Sequence, residues 1–520
     1  MFGAKSKNTF GLMGVCKFDD DRVCKLCWSK VFNMSEIAPF YTGKSVLVTG
    51  ATGFFGKVLL EKLLTSCPDI KIIYVLIRQK ADKSARDRLE DIYMSGAFEN
   101  VREKVGGRRR FFDKIVSIAG DVTLPNLGVD DIDLTVIKHV SVVFHCAADV
   151  KFETPLKQSL DANVEGTKRV VGLCKAIGKP VLIYVSSAYA TCNRLGDRDE
   201  VIYPPKYSED VIAELAERND ATMGDAEFYD GHPNSYTLSK ALAESYLESI
   251  SETLPVVIVR PSQVTPSLRE PFPGWIDNAG GPTGLIAAVG KGIIRRVSCD
   301  PDIIVDFIPV DVAVHLMIAA AYDMSKQSSG LKIYNCTTSG ENPMMMKHVE
   351  DILCNHYWRE NPLQGALLPP YVKFQKQDWV VKFQGIYLHT IPAYAIDMIL
   401  RLTGQRPMLV RAHQKLGKAL KFIRFFMYNE WKYHAENTIK LHESLSPEDQ
   451  ETFMFDIRKI EWNSYYNNYT LGVRHFLFRE SPGSLAKARK KIKFMEGTIF
   501  VAQCVAVFWA LSVFAKFVFF

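Results

Sequence analysis

The sequence lacks what a secreted or disulfide-stapled protein needs. No apolar run of signal-peptide length opens it, since the leader MFGAKSKNTFGLMGVCKFDDD is interrupted by charge. Cysteine is sparse and without a framework: eleven residues in 520, an odd number at no repeating spacing, point to a reducing compartment. Cys24 and Cys27 form a CxxC, yet no second CxxC or HxxxH follows at zinc-like spacing, so they read as ordinary thiols and no metal site is expected. No compositional bias stands out either. Hydrophobic residues at 47% and charged residues at 23% exclude a disordered, collagenous or low-complexity chain. A chain of this length has room for several domains at roughly 150 residues each.

Positive charge is also nearly absent as a surplus until the chain's last quarter. Residues 401–520 carry nineteen Lys or Arg against ten Asp or Glu, +9, which leaves −3 for the first 400 and makes the total of +6 a C-terminal property. That asymmetry suits an anionic surface. The end of the chain selects a membrane rather than nucleic acid, because residues 497–520, GTIFVAQCVAVFWALSVFAKFVFF, contain only Gln503 and Lys516 as strongly polar side chains. At 1.5 Å per residue this stretch matches a hydrocarbon core of about 30 Å. Lys487, Arg489, Lys490, Lys491 and Lys493 precede it within a basic segment, 484–496, that the positive-inside rule keeps cytosolic. The expectation is a tail anchor with a cytosolic body, on a peroxisomal, endoplasmic-reticulum or lipid-droplet surface.

Past a leader over 1–40, Lys44 to Val48 is a short β-branched run. It is followed at once by Thr49-Gly50-Ala51-Thr52-Gly53-Phe54-Phe55-Gly56, and then by the helical periodicity of KVLLEKLLT. Glycines between a strand and a helix let the backbone approach a pyrophosphate, whose charge meets the helix start, so Thr49, Gly50, Gly53, Phe54, Phe55 and Gly56 are candidate dinucleotide contacts. The next apolar run, Ile70 to Ile77, ends in Arg78, where an NAD site would place an acid. A base there suits a 2′-phosphate, and NADPH is the expected cofactor. Further apolar runs at 115–119, 140–148 and 181–187 alternate with helical stretches, the pattern of a doubly wound α/β fold with a parallel sheet. Ala147 and Ala148, small residues at the end of such a run, would let a cofactor lie close to the backbone.

Ser235 to Ile250 reads as a helix that carries Tyr236 and Lys240 four residues apart, on one face. A nearby ammonium would draw the phenol's pKa down from about 10, so that it could exchange a proton with a carbonyl oxygen. Ser186 and Ser187, at the end of a strand, offer a hydroxyl to orient that carbonyl. With these motifs the chain resembles the extended short-chain dehydrogenase/reductase superfamily. The resemblance implies Tyr236 as general acid, Lys240 between the tyrosine and the nicotinamide ribose, Ser187 as the orienting hydroxyl with Ser186 as fallback, Asp121 near the adenine and Asn163 in support.

A narrower likeness follows from longer motifs: Val259-Arg260-Pro261-Ser262, Glu270-Pro271-Phe272-Pro273-Gly274-Trp275-Ile276-Asp277-Asn278, Gly281-Pro282-Thr283-Gly284, Gly290-Lys291-Gly292 and Asp306-Phe307-Ile308-Pro309-Val310-Asp311. Phe455, Asp456, Trp462, Tyr465, Tyr469, Gly472 and Arg474 extend it, and together these resemble fatty acyl-CoA reductases over nearly all of the chain after residue 35. The resemblance implies NADPH-dependent reduction of long-chain acyl-CoA through a bound aldehyde to a primary alcohol, of the kind that supplies wax and ether lipids. Fold and triad alone leave open an extended enzyme acting on sterol or nucleotide-sugar hydroxyls. One departure is Gln263-Val264-Thr265-Pro266, where apolar residues are expected.

The layout expected is a reductase domain over 41–355, a mostly helical domain over 361–480, the basic segment and the tail. An acidic insertion, PKYSEDVIAELAERND, would border the acyl or CoA entrance. Cys192, close after Ser187, is a weak candidate acyl acceptor, without an evident activating base. Trp379 to Leu402 is apolar enough to lie on a membrane, yet Lys382, His389, Asp397 and Arg401 interrupt it and equally suit a core helix pair.

Overall fold

The computed structural model describes residues 34–217, 229–407 and 409–519, so Cys24 and Cys27 lie outside the described residues. Seven strands form one parallel sheet: β1 (Ser45–Thr49), β2 (Ile72–Ile77), β3 (Ile115–Ala119), β4 (Val140–His145), β5 (Val181–Val185), β6 (Pro255–Pro261) and β7 (Gly330–Cys336). Their order is β3-β2-β1-β4-β5-β6-β7. β1, β5 and β6 are buried at every residue, which explains why they read as unbroken apolar runs rather than alternating ones. Residues of β5 alternate between two cores. Ile183 and Val185 join one with α1 (Phe54–Ser66) and α4 (Val310–Met324), whereas Leu182 and Tyr184 join one with α2 (Gly166–Ala176) and α3 (Ser235–Ile250).

The chain runs outward from β1 through β2 to β3, then returns to place β4 on the other side of β1. This reversal opens a crevice at the carboxyl ends of β1 and β4, where doubly wound sheets bind ligands.

A further core lies beneath the C-terminal helices, with Trp358, Tyr465, Tyr466 and Tyr469 among its largest buried side chains. Helix α5 (Ile391–Leu402) and helix α6 (Leu409–Ile423) pack together, α7 (Trp462–Gly472) runs through the core, and α8 (Leu485–Phe519) leaves it. The conspicuous EPFPGWIDN motif belongs to this packing: a Cβ on Gly472 of α7 would overlap the Gly274 carbonyl, and one on Gly274 would overlap the Asn468 carbonyl of the same helix. Asp449, fully buried, accepts the backbone N–H of Glu36 at 2.7 Å and the Ser35 hydroxyl at 2.7 Å, tying the start of the described chain to its C-terminal part.

Helix α8 is long and apolar enough to cross a membrane. Its first turns are part of the body: Ala488 and Ile492 are buried, and Lys491 donates to the carbonyls of Gln364 at 3.0 Å and Ala366 at 2.8 Å. Beyond them Phe508 is 74% exposed and Trp509 69%, an arrangement water disfavours.

Candidate active site

The glycine loop sits at the crevice. Gly50 adopts φ +72° and lies against β4's exit, where a Cβ would come 2.7 Å from the Ala147 nitrogen; only glycine permits both. Gly56 is pressed against the Gly50 carbonyl, and Gly53 precedes α1 with no side chain capping it and no acid in the first turn. The helix start thus keeps its N–H groups for an anion. Thr49 is wholly buried; its hydroxyl lies 2.8 Å from His145 Nδ1 and accepts the Ala147 N–H at 3.2 Å, so it positions the loop from beneath. Phe54 stacks on Trp275 with ring centroids 5.4 Å apart, and Phe55 packs against the core shared with α4.

At the end of β2, Arg78 is largely exposed and its Nε lies 3.7 Å from Asp121. Asp121 also accepts the backbone and hydroxyl of Thr123, both at 3.0 Å. Arg88, which sequence reasoning missed, reaches back from the following helix to donate to Thr52 Oγ1 at 3.2 Å and to the Arg78 carbonyl. Its only signal in the sequence is its place one helix turn into the segment after β2. Ala147 and Ala148 lie where the loop and β4 converge.

Asn163, buried in a π-turn over Asp161–Glu165, pairs with both backbone groups of Asp149 and donates to Ser239 Oγ at 2.9 Å. It fastens the loop after β4 to α3 at Ser239, one turn along the helix from Tyr236 and next to Lys240.

The Tyr236 phenol lies beside the Ser187 hydroxyl, which draws its pKa down, and that hydroxyl accepts the Tyr189 N–H at 3.2 Å. Ser186 takes no part: its hydroxyl donates to Glu244 at 2.5 Å, and Glu244 in turn holds Arg260 through contacts at 2.9 and 2.6 Å. Arg260, first polar residue of the Arg-Pro-Ser motif, is therefore a buried structural group. The expected lowering of the phenol's pKa is not seen. Burial pushes Tyr236 up to about 12, against the opposing pull of the Ser187 hydroxyl. The reason is geometric, because the Lys240 ammonium donates to the Val185 carbonyl at 2.7 Å and to the Tyr184 hydroxyl at 3.2 Å instead. Burial pulls Lys240 down to about 7, with Glu244 working the other way.

Cys192 is no nucleophile here. Burial pushes its thiol up to about 12, and its neighbour His232, 4.0 Å away, is brought down to about 4, so neither supplies charge to activate the other.

One wall of the site was not legible in the sequence. Phe152 lies 6.0 Å from Tyr236 and 5.7 Å from Phe426, while Tyr189 meets Phe426 at 4.9 Å and Trp431 at 5.6 Å. The aromatic lining thus comes from three distant segments. The polar run from Gln263 is accommodated by pairing: Gln263 donates to Tyr189 OH at 3.1 Å and Thr265 meets Tyr465 OH at 2.6 Å. The described part of the insertion, helix Glu209–Glu217, buries Ile212 against Leu238 and Leu242 of α3, and Glu209 pairs with Lys168.

The chain matches the family described as male sterility protein, in its NAD-binding region over residues 48–317 and in its Sterile region over residues 388–480. Among curated relatives it is 38% identical to fatty acyl-CoA reductase 1 of Rattus norvegicus over 495 residues, 93% of this chain and 95% of that protein. It is 35% identical to fatty acyl-CoA reductase 2 of Homo sapiens, covering 88% and 90%. In solved structures its fold resembles the terminal reductase domain of the myxalamid pathway, with TM-score 0.55, 19% identity and coverage of 88% and 98%. It also resembles the reductase domain of a nonribosomal peptide synthetase from Mycobacterium tuberculosis, with TM-score 0.53, 17% identity and coverage of 86% and 96%.

Proposed function

Since the chain belongs to the fatty acyl-CoA reductase family, we propose that it reduces long-chain acyl-CoA with NADPH to the primary alcohol, by way of an aldehyde that stays bound. The observation that carries this reading is the half-buried Tyr236 phenol beside the buried Ser187 hydroxyl, with the aromatic wall of Phe152 and Phe426 next to it. The wall of Phe152, Phe426 and Trp431, contributed in part by the C-terminal region, offers an apolar acyl chain a surface beside the reacting carbonyl.

The dinucleotide fits the residues present. Gly50 leaves the backbone open to a pyrophosphate, the uncapped start of α1 offers its N–H groups, and Arg78 with Arg88 suits a 2′-phosphate. When bound, it supplies the hydride. The protein's part is to hold the acyl carbonyl between the Ser187 and Tyr236 hydroxyls, to donate the Tyr236 proton as negative charge develops on that oxygen, and to keep water out with the aromatic wall. Loss of the CoA thiolate, which leaves as the thiol, gives the aldehyde. A second reduction at the same carbonyl, again with a proton through Tyr236, gives the alcohol.

The test is to incubate the detergent-solubilised protein with NADPH and acyl-CoAs of graded length and to follow cofactor oxidation and lipid products together. Two NADPH oxidised per alcohol formed is the expected stoichiometry. No oxidation with any acyl-CoA, despite NADPH binding, would overturn the reading.

Cofactor choice has its own expected result. Replacing both Arg78 and Arg88 by Ser should raise the KM for NADPH by about 10- to 100-fold, the worth of one or two charge-assisted contacts, and leave the KM for NADH nearly unchanged. Equal losses for both cofactors would refute a phosphate role for these arginines.

The pH profile follows from Lys240. The ammonium is lost as pH rises through about 7, whereas Tyr236, at about 12, remains protonated throughout. If the ammonium helps to hold the ribose, kcat/KM should fall with an inflection near that value, and Lys240→Arg should remove the inflection. A flat profile up to pH 9 in the unsubstituted enzyme would exclude the role.

A further inference from the structure

We propose that residues 378–424 dock on the headgroup region of an anionic bilayer, as a second membrane contact distinct from α8. Trp379, Phe383, Tyr387, Tyr394, Met398 and Leu402 recur at helical spacing along consecutive helical segments and are all exposed, Trp379 at 72% and Leu402 at 80%. A continuous apolar stripe of this length is not left in water without a partner.

The polar residues that interrupt the segment fix it to the protein. Asp378 receives the Ser298 hydroxyl at 2.6 Å and pairs with Arg424 at 3.0 Å; His389 accepts the Arg295 N–H at 2.9 Å; Asp397 caps α6 by accepting the N–H groups of Leu409 and Val410 at 2.9 and 3.0 Å. A segment held in this way presents its stripe outward without crossing a bilayer, which is how interfacial helices bind.

Charge selects the occupant. Residues 378–424 hold eight Lys or Arg against two Asp and no Glu, a net +6 that equals the charge of the whole chain. Helix α6 turns Leu416, Leu420 and Ile423 towards the core and leaves Arg411, Lys415 and Lys418 exposed. A second copy of the chain on this face would bring cations against cations, whereas anionic headgroups complement them. The interface is also continuous with the anchor, since Ile492 of α8 packs in the same core as those α6 leucines. At its other end α6 runs into Phe425 and Phe426, the latter part of the wall beside Tyr236. That last link rests on the reductase reading, but the surface does not.

The test uses the full chain reconstituted into phosphatidylcholine–phosphatidylserine vesicles, with brominated phosphatidylcholine as quencher. The emission lost in Trp379→Phe isolates Trp379 from the other tryptophans, including Trp509 of α8. Bromine should quench that component by more than half, and the triple variant Arg411→Gln, Lys415→Gln, Lys418→Gln should reduce its quenching at least twofold. Trp379 emission that bromine leaves unchanged and acrylamide quenches freely would overturn the proposal. Emission shielded from both would show that a second copy covers the stripe, and would overturn it equally. The readout needs no catalysis, so failure of the proposed reaction leaves it intact.

Discussion

Tyr236→Phe should cut alcohol formation by about 10²- to 10⁴-fold in turnover, the usual worth of a positioned acid, with NADPH affinity retained. The phenol is the proton donor nearest the proposed carbonyl position, and burial at about 12 keeps it protonated at any working pH. That value alters what drives the step. An expectation of a tyrosine poised near neutrality would make the phenolate abundant; in the proposed mechanism the phenol is instead a stable hydrogen-bond donor whose proton moves only as charge builds on the substrate oxygen. Ser187 remains in the variant and can still orient the carbonyl, so residual activity should be low rather than nil. Phenylalanine keeps the ring contact with Phe152, and removal of the half-buried hydroxyl leaves the fold intact. Gas chromatography of the alcohol beside a fluorescence titration of NADPH separates the two effects. Full activity in the variant would remove Tyr236 from the mechanism.

What was legible in the sequence is what lies close together along the chain. The glycine loop between β1 and α1, the Tyr236–Lys240 spacing on α3 and the apolar tail are each contained in a few turns of backbone, and local periodicity carries them. What was not legible depends on where side chains turn after the chain has closed. Four-residue spacing placed Lys240 on the face of Tyr236, but its ammonium goes to the Val185 carbonyl at the end of β5. Ser186 and Ser187 are adjacent and chemically alike, yet the pleat of the strand sends one to Glu244 and the other to Tyr236. Phe152, Tyr189, Phe426 and Trp431 meet only because the C-terminal region folds back over the crevice. Several long motifs turned out to serve architecture: Glu270 is bonded to Lys62 and His315, Asp306 takes the N–H groups of Thr338 and Ser339, and Asp311 those of Leu268, Arg269 and Glu270. Family signatures identify the protein here through its scaffold as much as through its chemistry.

The most damaging single substitution outside the crevice should be Glu244→Gln, at about 3–5 kcal/mol. Arg260 and Glu244 are 1% and 3% exposed, and the guanidinium's other partners are the backbone carbonyls of Asp199 and Val201. Glutamine keeps the shape and part of the hydrogen bonding but removes the carboxylate charge paired with Arg260, leaving a cation in a low-dielectric interior. Against a total stability of about 5–15 kcal/mol the loss should appear as a large fall in the unfolding midpoint. Arg260→Met added to Glu244→Gln should recover much of it, because the unpaired cation and not the missing acid is the source of the cost. Glu244 also raises the pKa of Lys240, against the burial that lowers it. Its neutralisation should therefore move the kcat/KM inflection below about 7, so that the variant loses activity at a pH where the parent is still active. A fallen midpoint with an unmoved inflection would confine Glu244 to the scaffold, whereas movement of both would show that the buried pair beneath the sheet's end also sets the charge of the active-site lysine.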